Sequence, residues 1–327
     1  MNHCKGVTWI IDGQNMLLPI LQGQEEQTLF IIGNGFDLYH NLKSSYCDFH
    51  RWLMQYRYGD FVEYMETMFP TLKDGKPLLW QDFEEALGKG EPLKIHNDFF
   101  QGVDDGNYDE YIQVRVVERI KPILDKIPKL LREWANTLPV ADVQYRKELK
   151  PAINYRSLYL SFNYTMLLER VYGIPAERVL HVHHSLDDGK KLITGHRSYY
   201  SDDDVHDVNY NKEVSAIKIA KELNALNKPV ESIINEHQPF FDKLSDIKYI
   251  IVFGFSISLI DKLYFEEVLH RVHDNAHWFF VCKNIEVKQH YEGLVDYYNK
   301  SFQTAIGNEK YRQKMTKEHC QYILIDE

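Results

Sequence analysis

LFIIGNGFDL, residues Leu29–Leu38, is the stretch that decides the fold. An apolar run, Leu29–Ile32, stops at Gly33-Asn34-Gly35, and Phe36-Asp37-Leu38 follows. The pattern predicts a strand, a tight turn and the start of a helix. Glycine at such a turn adopts φ > 0 at no steric cost and lets the backbone approach a ligand closely. A helix starting there would turn free N–H groups and its dipole toward a phosphate. The third glycine and the later acidic residue of a dinucleotide fingerprint are missing. A plain strand–turn–helix joint therefore fits these residues equally well.

Five more apolar runs share this character: Leu158–Phe162, Val179–Val182, Tyr249–Phe253, Trp278–Val281 and Tyr322–Ile325. Short runs rich in β-branched and aromatic residues, without strict alternation, suit buried strands of a parallel sheet. Helical patterns at Met166–Tyr172 and Ser258–Val272 lie between them, which predicts an α/β layered fold. Residues 45–150 differ, being long, aromatic, charged and helical in period. They read as a large helical insertion after the first strand and its Gly-rich turn. Within them Val114–Ala135 sets Val117, Ile120, Ile123, Leu124, Ile127, Leu130 and Leu131 on one face, with Pro122 and Pro128 expected to kink or divide it. Residues 1–27 read as an N-terminal extension and 28–327 as one domain.

Composition narrows the function. Hydrophobic residues are 44% and charged residues 26% of the 327, enough for a core that needs neither disulfides nor metal. The formal net charge of −10 disfavours broad contact with nucleic acid or anionic membrane, since phosphate binding rests on Lys and Arg. Cys4, Cys47, Cys282 and Cys320 are scattered, without C-x-x-C spacing, as reduced thiols would be. No run approaches the ~20 apolar residues of a membrane span, and Val7–Leu21 lacks the flanks of a signal peptide. A cytoplasmic location is expected. The acidic stretches Asp104–Glu110 and Ser201–Asn211 read as solvated loops rather than metal sites.

Three further motifs carry chemistry. In LYLSFNYT, a strand delivers Asn163 and Thr165 to its carboxyl end, where open α/β sheets bind ligands. Asn163 would orient a ribose hydroxyl or a water, or one of the two would cap the helix near Met166. VLHVHHS holds His181, His183 and His184, with alternation putting His181 and His183 on one strand face. Proton transfer, a metal site or plain buried histidines are open for this cluster. YIIVFGFSISLID runs a strand into Gly254 and Ser256. Ser258 stands where a nucleophile elbow has its second glycine, so a turn holding phosphate or ribose is the better reading.

Taken in order, IIGNGFD, SFNYT, HVHHS and FGFSISLIDKLYF resemble the bacteriophage abortive-infection AbiH family, with its G-N-G-F-D, T/S-F-N-Y-T, H-I-H-G and G-H-S-L segments. WQDFEEAL, Trp80–Leu87, is similar to that family's W-x-x-F-E-x-x-L. The order also resembles that of sirtuins. Both resemblances imply a Rossmann-like, NAD-binding fold. Asn163 matches the sirtuin Asn near the nicotinamide ribose, His183 the His of both patterns, and Gly254 and Ser256 the G-x-S. His184 stands where Gly is usual, Phe255 where the family has His, and Thr165 where sirtuins have Asp.

The implied function is anti-phage defence by hydrolysis of NAD at the nicotinamide–ribose bond. His183 would be the catalytic base and Asn163 its companion. Gly33, Asn34, Gly35, Asp37, Thr165, Gly254 and Ser256 would hold the nucleotide, Glu84, Glu85, His184 and Asp261 would lend support, and no metal is expected. An NAD- or ADP-ribose-sensing module is the alternative, and a histidine-dependent nuclease or hydrolase a weaker one. A second copy of the chain or a defence-system protein would be the macromolecular partner.

Overall fold

The computed structural model describes residues 23–73, 76–99, 110–201, 205–207, 210–304 and 315–325. Residues 1–22, 104–109, 202–204 and 208–209, which include most of the N-terminal extension and parts of both acidic stretches, lie outside them. Eight strands occur among the described residues. They are β1 (Thr28–Ile32), β2 (Leu72–Lys73), β3 (Lys76–Pro77), β4 (Leu158–Ser161), β5 (Val179–His181), β6 (Tyr249–Phe253), β7 (His277–Cys282) and β8 (Cys320–Leu324).

The chain forms two compact units. The first takes the segments up to Lys43, Pro139–Asp188 and Val230 onward. It holds a six-stranded sheet in the order β5-β4-β1-β6-β7-β8, and every neighbouring pair is parallel. All six apolar runs thus become strands of one sheet. β1, β4 and β6 are buried along their whole length, whereas β5 and β8 at the edges are partly exposed. Burial on both faces is why the central strands show continuous apolar runs rather than alternation.

Counting only this sheet's strands along the chain, the order is 3-2-1-4-5-6. The chain leaves β1 for β4 on one side and later returns to β6 on the other. Ile32 is level with both Ser161 and Phe253, so Gly33, Phe162 and Gly254 emerge side by side at the carboxyl end of the sheet. Parallel neighbours need crossovers. Leu167–Tyr172 lies between β4 and β5, Lys262–Arg271 between β6 and β7, and Ile285–Thr304 between β7 and β8.

The second unit combines Ser44–Leu138 with Gly189–Pro229. It is helical apart from the β2–β3 hairpin. Its first helix, Tyr46–Gln55, opens on a capping box in which Ser45 and Asp48 satisfy each other's backbone amides. Glu110–Ala135 is one continuous helix with Pro122 and Pro128 inside it, so the expected division at the prolines does not occur. Ile120, Leu124, Ile127, Leu131 and Trp134 are buried along one face. Burial of roughly 1.5–3 kcal/mol per large apolar side chain outweighs the ~3 kcal/mol penalty of a helical proline.

Candidate functional site

The turn after β1 and the turn after β6 pack backbone against backbone. Gly33 N–H donates to Phe253 O at 3.0 Å and Gly35 N–H to Gly254 O at 3.0 Å. A Cβ on Gly33 would lie 2.4 Å from Gly254 O, and one on Gly35 2.6 Å from Gly254 Cα. Gly254 itself has φ 66° and touches Phe36 N and Gly35. These glycines are required by that close approach. The Gly33 and Gly35 N–H groups are already spent within the protein, and the helix that follows, Asn34–Tyr39, has only six residues.

Asp37 points inward from this helix and is 1% exposed. Asn163 Nδ2 donates to its Oδ1 at 2.9 Å and Thr165 Oγ1 to its Oδ2 at 2.7 Å. The same Asn163 amide donates to Gly33 O at 3.2 Å. Neither residue caps the next helix, whose N-cap is Met166 without a side-chain hydrogen bond; the capping alternative is excluded. Burial pushes the Asp37 carboxyl up to about 7, against the two hydrogen bonds and the nearby His181, which pull it down.

β5 ends at His181, and Val182-His183 form a turn. The expected alternation therefore stops before His183, and the two rings engage different partners. His181 Nδ1 lies 2.9 Å from Asn163 O and its Nε2 2.8 Å from Glu169 Oε1. Burial pulls the His181 pKa down, but the Glu169 hydrogen bond and charge outweigh it and the net shift is upward. His183 Nε2 lies 3.1 Å from Asp261 Oδ1, with both residues buried. Phe162 meets the His183 ring edge to face, and Phe255 stacks on Phe162 with centroids 3.9 Å apart. His184 has φ 61°, in the left-handed region.

The loop from Gly254 to Asp261 is held from the last long helix: Tyr291 donates its hydroxyl to Phe255 O at 2.6 Å, and His290 Nε2 lies 2.8 Å from Ser256 O. Ile257 has φ 51°, an outlier for a β-branched side chain. Among the described residues the amides of Ser256, Ile257 and Ser258 meet no acceptor. Ser256 is exposed, while Ser258 takes the Asp261 amide through both its carbonyl and its hydroxyl.

Gly33, Gly35, Asp37, Asn163, Thr165 and Gly254 are thus joined by hydrogen bonds and backbone packing. The buried His183–Asp261 pair lies against Phe162 at the same end of the sheet, and Asn34 and Ser256 are exposed. Glu84 and Glu85 belong to the helical unit. There Glu84 holds the buried Lys228 at 2.7 Å and accepts from Thr194 and Gly195, and Glu85 pairs with Lys89. Glu169, Tyr291 and His290 escape a reading of the sequence, because no motif marks them; only the fold brings them to the cluster. No group of three or more His, Cys, Asp or Glu residues that could hold a metal exists among the described residues. Nor is any helix among them long and apolar enough to cross a membrane.

Sheet and cluster define an α/β protein whose polar residues gather at the carboxyl ends of parallel strands. The chain belongs to the bacteriophage abortive infection AbiH family, whose model matches residues 29–282, more than three quarters of its length. No curated protein matches it, and no solved structure does.

Proposed function

We propose that the protein is an anti-phage abortive-infection effector that hydrolyses NAD at the nicotinamide–ribose bond, using His183 as general base. The observation that carries this reading is the buried His183–Asp261 pair, 3.1 Å apart, beside the crossing point of the strand order. An order of 3-2-1-4-5-6 is that of Rossmann-like dinucleotide-binding sheets, in which the ligand lies outside the carboxyl ends of the strands where the order reverses. With Gly33 N–H and Gly35 N–H engaged, the phosphates are assigned to the amides of Ser256, Ile257 and Ser258. Left-handed backbone at His184 and Ile257, on either side of the pair, fits strain held at a working site.

Cleavage passes through an oxocarbenium-like state, as other glycosidic cleavages do. The C–N bond electrons leave with the pyridine nitrogen, so nicotinamide departs neutral without a general acid. Asp261 Oδ1 faces His183 Nε2 and orients the imidazole, which takes the proton of the attacking water as the water oxygen bonds to the ribose carbon. Asn163 and Thr165 act one step back, by fixing Asp37 and the Gly33 turn.

The engaged glycine amides and the burial of His183 favour one second reading, a module that senses NAD or ADP-ribose without turnover. One experiment separates the two. Wild-type protein, with and without phage-infected cell extract, is incubated with NAD, and nicotinamide release and melting temperature are both followed. Turnover that falls at least 100-fold in His183→Gln and at least 10-fold in Asp261→Asn supports hydrolysis. Stabilisation by NAD without nicotinamide release supports sensing, since a ligand bound to the native state raises the melting temperature. Neither turnover nor stabilisation under either condition overturns both.

A further inference from the structure

The amino end of the sheet holds a feature that the NAD reading does not use. Residues leading into β4 and β5 enclose an open cleft of about 480 Å³, within the ~300–1,000 Å³ range of small-molecule sites. Tyr145, Lys150, Asn154, Tyr155, Tyr172 and Gly173 are among its lining residues. All belong to the sheet-bearing unit.

The lining combines flat aromatic surface with one cation. Tyr155 is 62% exposed and Tyr145 41% exposed. No ring or cation packs on Tyr155 among the described residues. The Lys150 ammonium sits 4.4 Å from the Tyr145 ring centroid and forms no ion pair with any described residue. Asn154 takes the Arg156 amide on its Oδ1, so its NH₂ group is the end left to donate. The wall behind is firm: the Tyr172 hydroxyl lies 2.6 Å from His40 Nε2 and accepts the Arg146 amide at 3.1 Å. Gly173 follows with φ 69° and open space where a Cβ would point.

We propose that this cleft binds a planar aromatic ring bearing an anionic group, a nucleoside monophosphate in class. The ring stacks on Tyr155, as bases stack on exposed aromatic side chains. The phosphate meets Lys150, whose ammonium Tyr145 holds in place by cation–π attraction. The Asn154 NH₂ group donates to the base or sugar. The site is built from residues other than the His183–Asp261 cluster and stands whether or not that cluster turns over NAD.

The test is calorimetric titration of the full chain with AMP, with adenosine and with inorganic phosphate. AMP is expected to bind at one site and more tightly than either fragment. Tyr155→Ala, at an exposed position, is expected to weaken AMP at least fivefold with an unchanged melting temperature. Lys150→Met is expected to weaken AMP but not adenosine, and His183→Gln to leave the Tyr155-dependent binding as it is. No binding of AMP at millimolar concentration overturns the proposal, as does undiminished binding in Tyr155→Ala. Equal affinity for AMP and adenosine overturns the role of Lys150 and with it the assigned ligand class.

Discussion

His184 shows how a single residue carries both family and physics. It occupies φ 61°, a region costing an L-residue roughly 1–2 kcal/mol and glycine nothing. A glycine at the matching place in H-I-H-G is what that backbone asks for. His184→Gly is therefore expected to stabilise the protein by about 1 kcal/mol, read as a higher urea midpoint at constant m-value. An unchanged or lower midpoint would mean that the side chain's own contacts outweigh the strain. Asp37 teaches the opposite lesson. In the sequence it looks like a ligand-facing residue of a glycine turn. In the structure it is an anchor for Asn163 and Thr165, which lie 126 and 128 residues away. No local pattern encodes a partner at that distance, so the residue was legible and its direction was not.

At the scale of elements, the central strands of the main sheet were readable because doubly buried strands need unbroken apolar runs. The partly exposed edge strands β5 and β8 were readable as short runs rich in β-branched and aromatic residues. The glycine turn was readable as a turn, but what it packs against depends on strand order. Gly33→Ala tests which demand the glycine meets. Its Cβ would fall 2.4 Å from the Gly254 carbonyl oxygen, backbone that cannot rotate away, and a loss of about 3 kcal/mol is expected. A variant as stable as wild type that has lost only nucleotide binding would instead return the turn to a phosphate-cradling role. The long helix Glu110–Ala135 went the other way. Its apolar stripe was legible, while its two prolines argued for interruption. Pro122 is exposed, so Pro122→Ala sacrifices no packing and restores an N–H to the helical ladder. Stability should rise by about 2 kcal/mol, the ~3 kcal/mol interior penalty less about 1 kcal/mol for a looser unfolded chain. Chemical denaturation with the same m-value checks it.

Across the whole molecule, stability against pH is set by buried groups pulling in opposite directions. The Asp37 carboxyl rises from its ordinary 3.8 to about 7 through burial. Between those values the native state keeps a proton that the unfolded state has released, so this group's contribution falls as pH rises from about 4 to 7. A shift of that size is worth about 4 kcal/mol. His181, raised on balance by Glu169, acts in the same sense: its contribution is full below 6.5 and is lost as pH climbs through its folded value. His40, His196 and His277 oppose them. Burial lowers each, so the unfolded chain binds their protons more readily and stability is lost as pH drops below 6.5. The two trends together predict a maximum on the acid side of neutrality. Asp37→Asn keeps an acceptor for the Asn163 amide and can donate to the Thr165 hydroxyl, but it does not titrate. Its melting temperature should exceed the wild type's at pH 7.5, fall to or below it at pH 4.5, and reach its maximum at higher pH. Melting curves of both proteins at half-unit intervals from pH 4 to 8.5 decide the matter. Parallel profiles would show that Asp37 ionises as an ordinary carboxylate and that the two hydrogen bonds from Asn163 and Thr165 fully offset its burial.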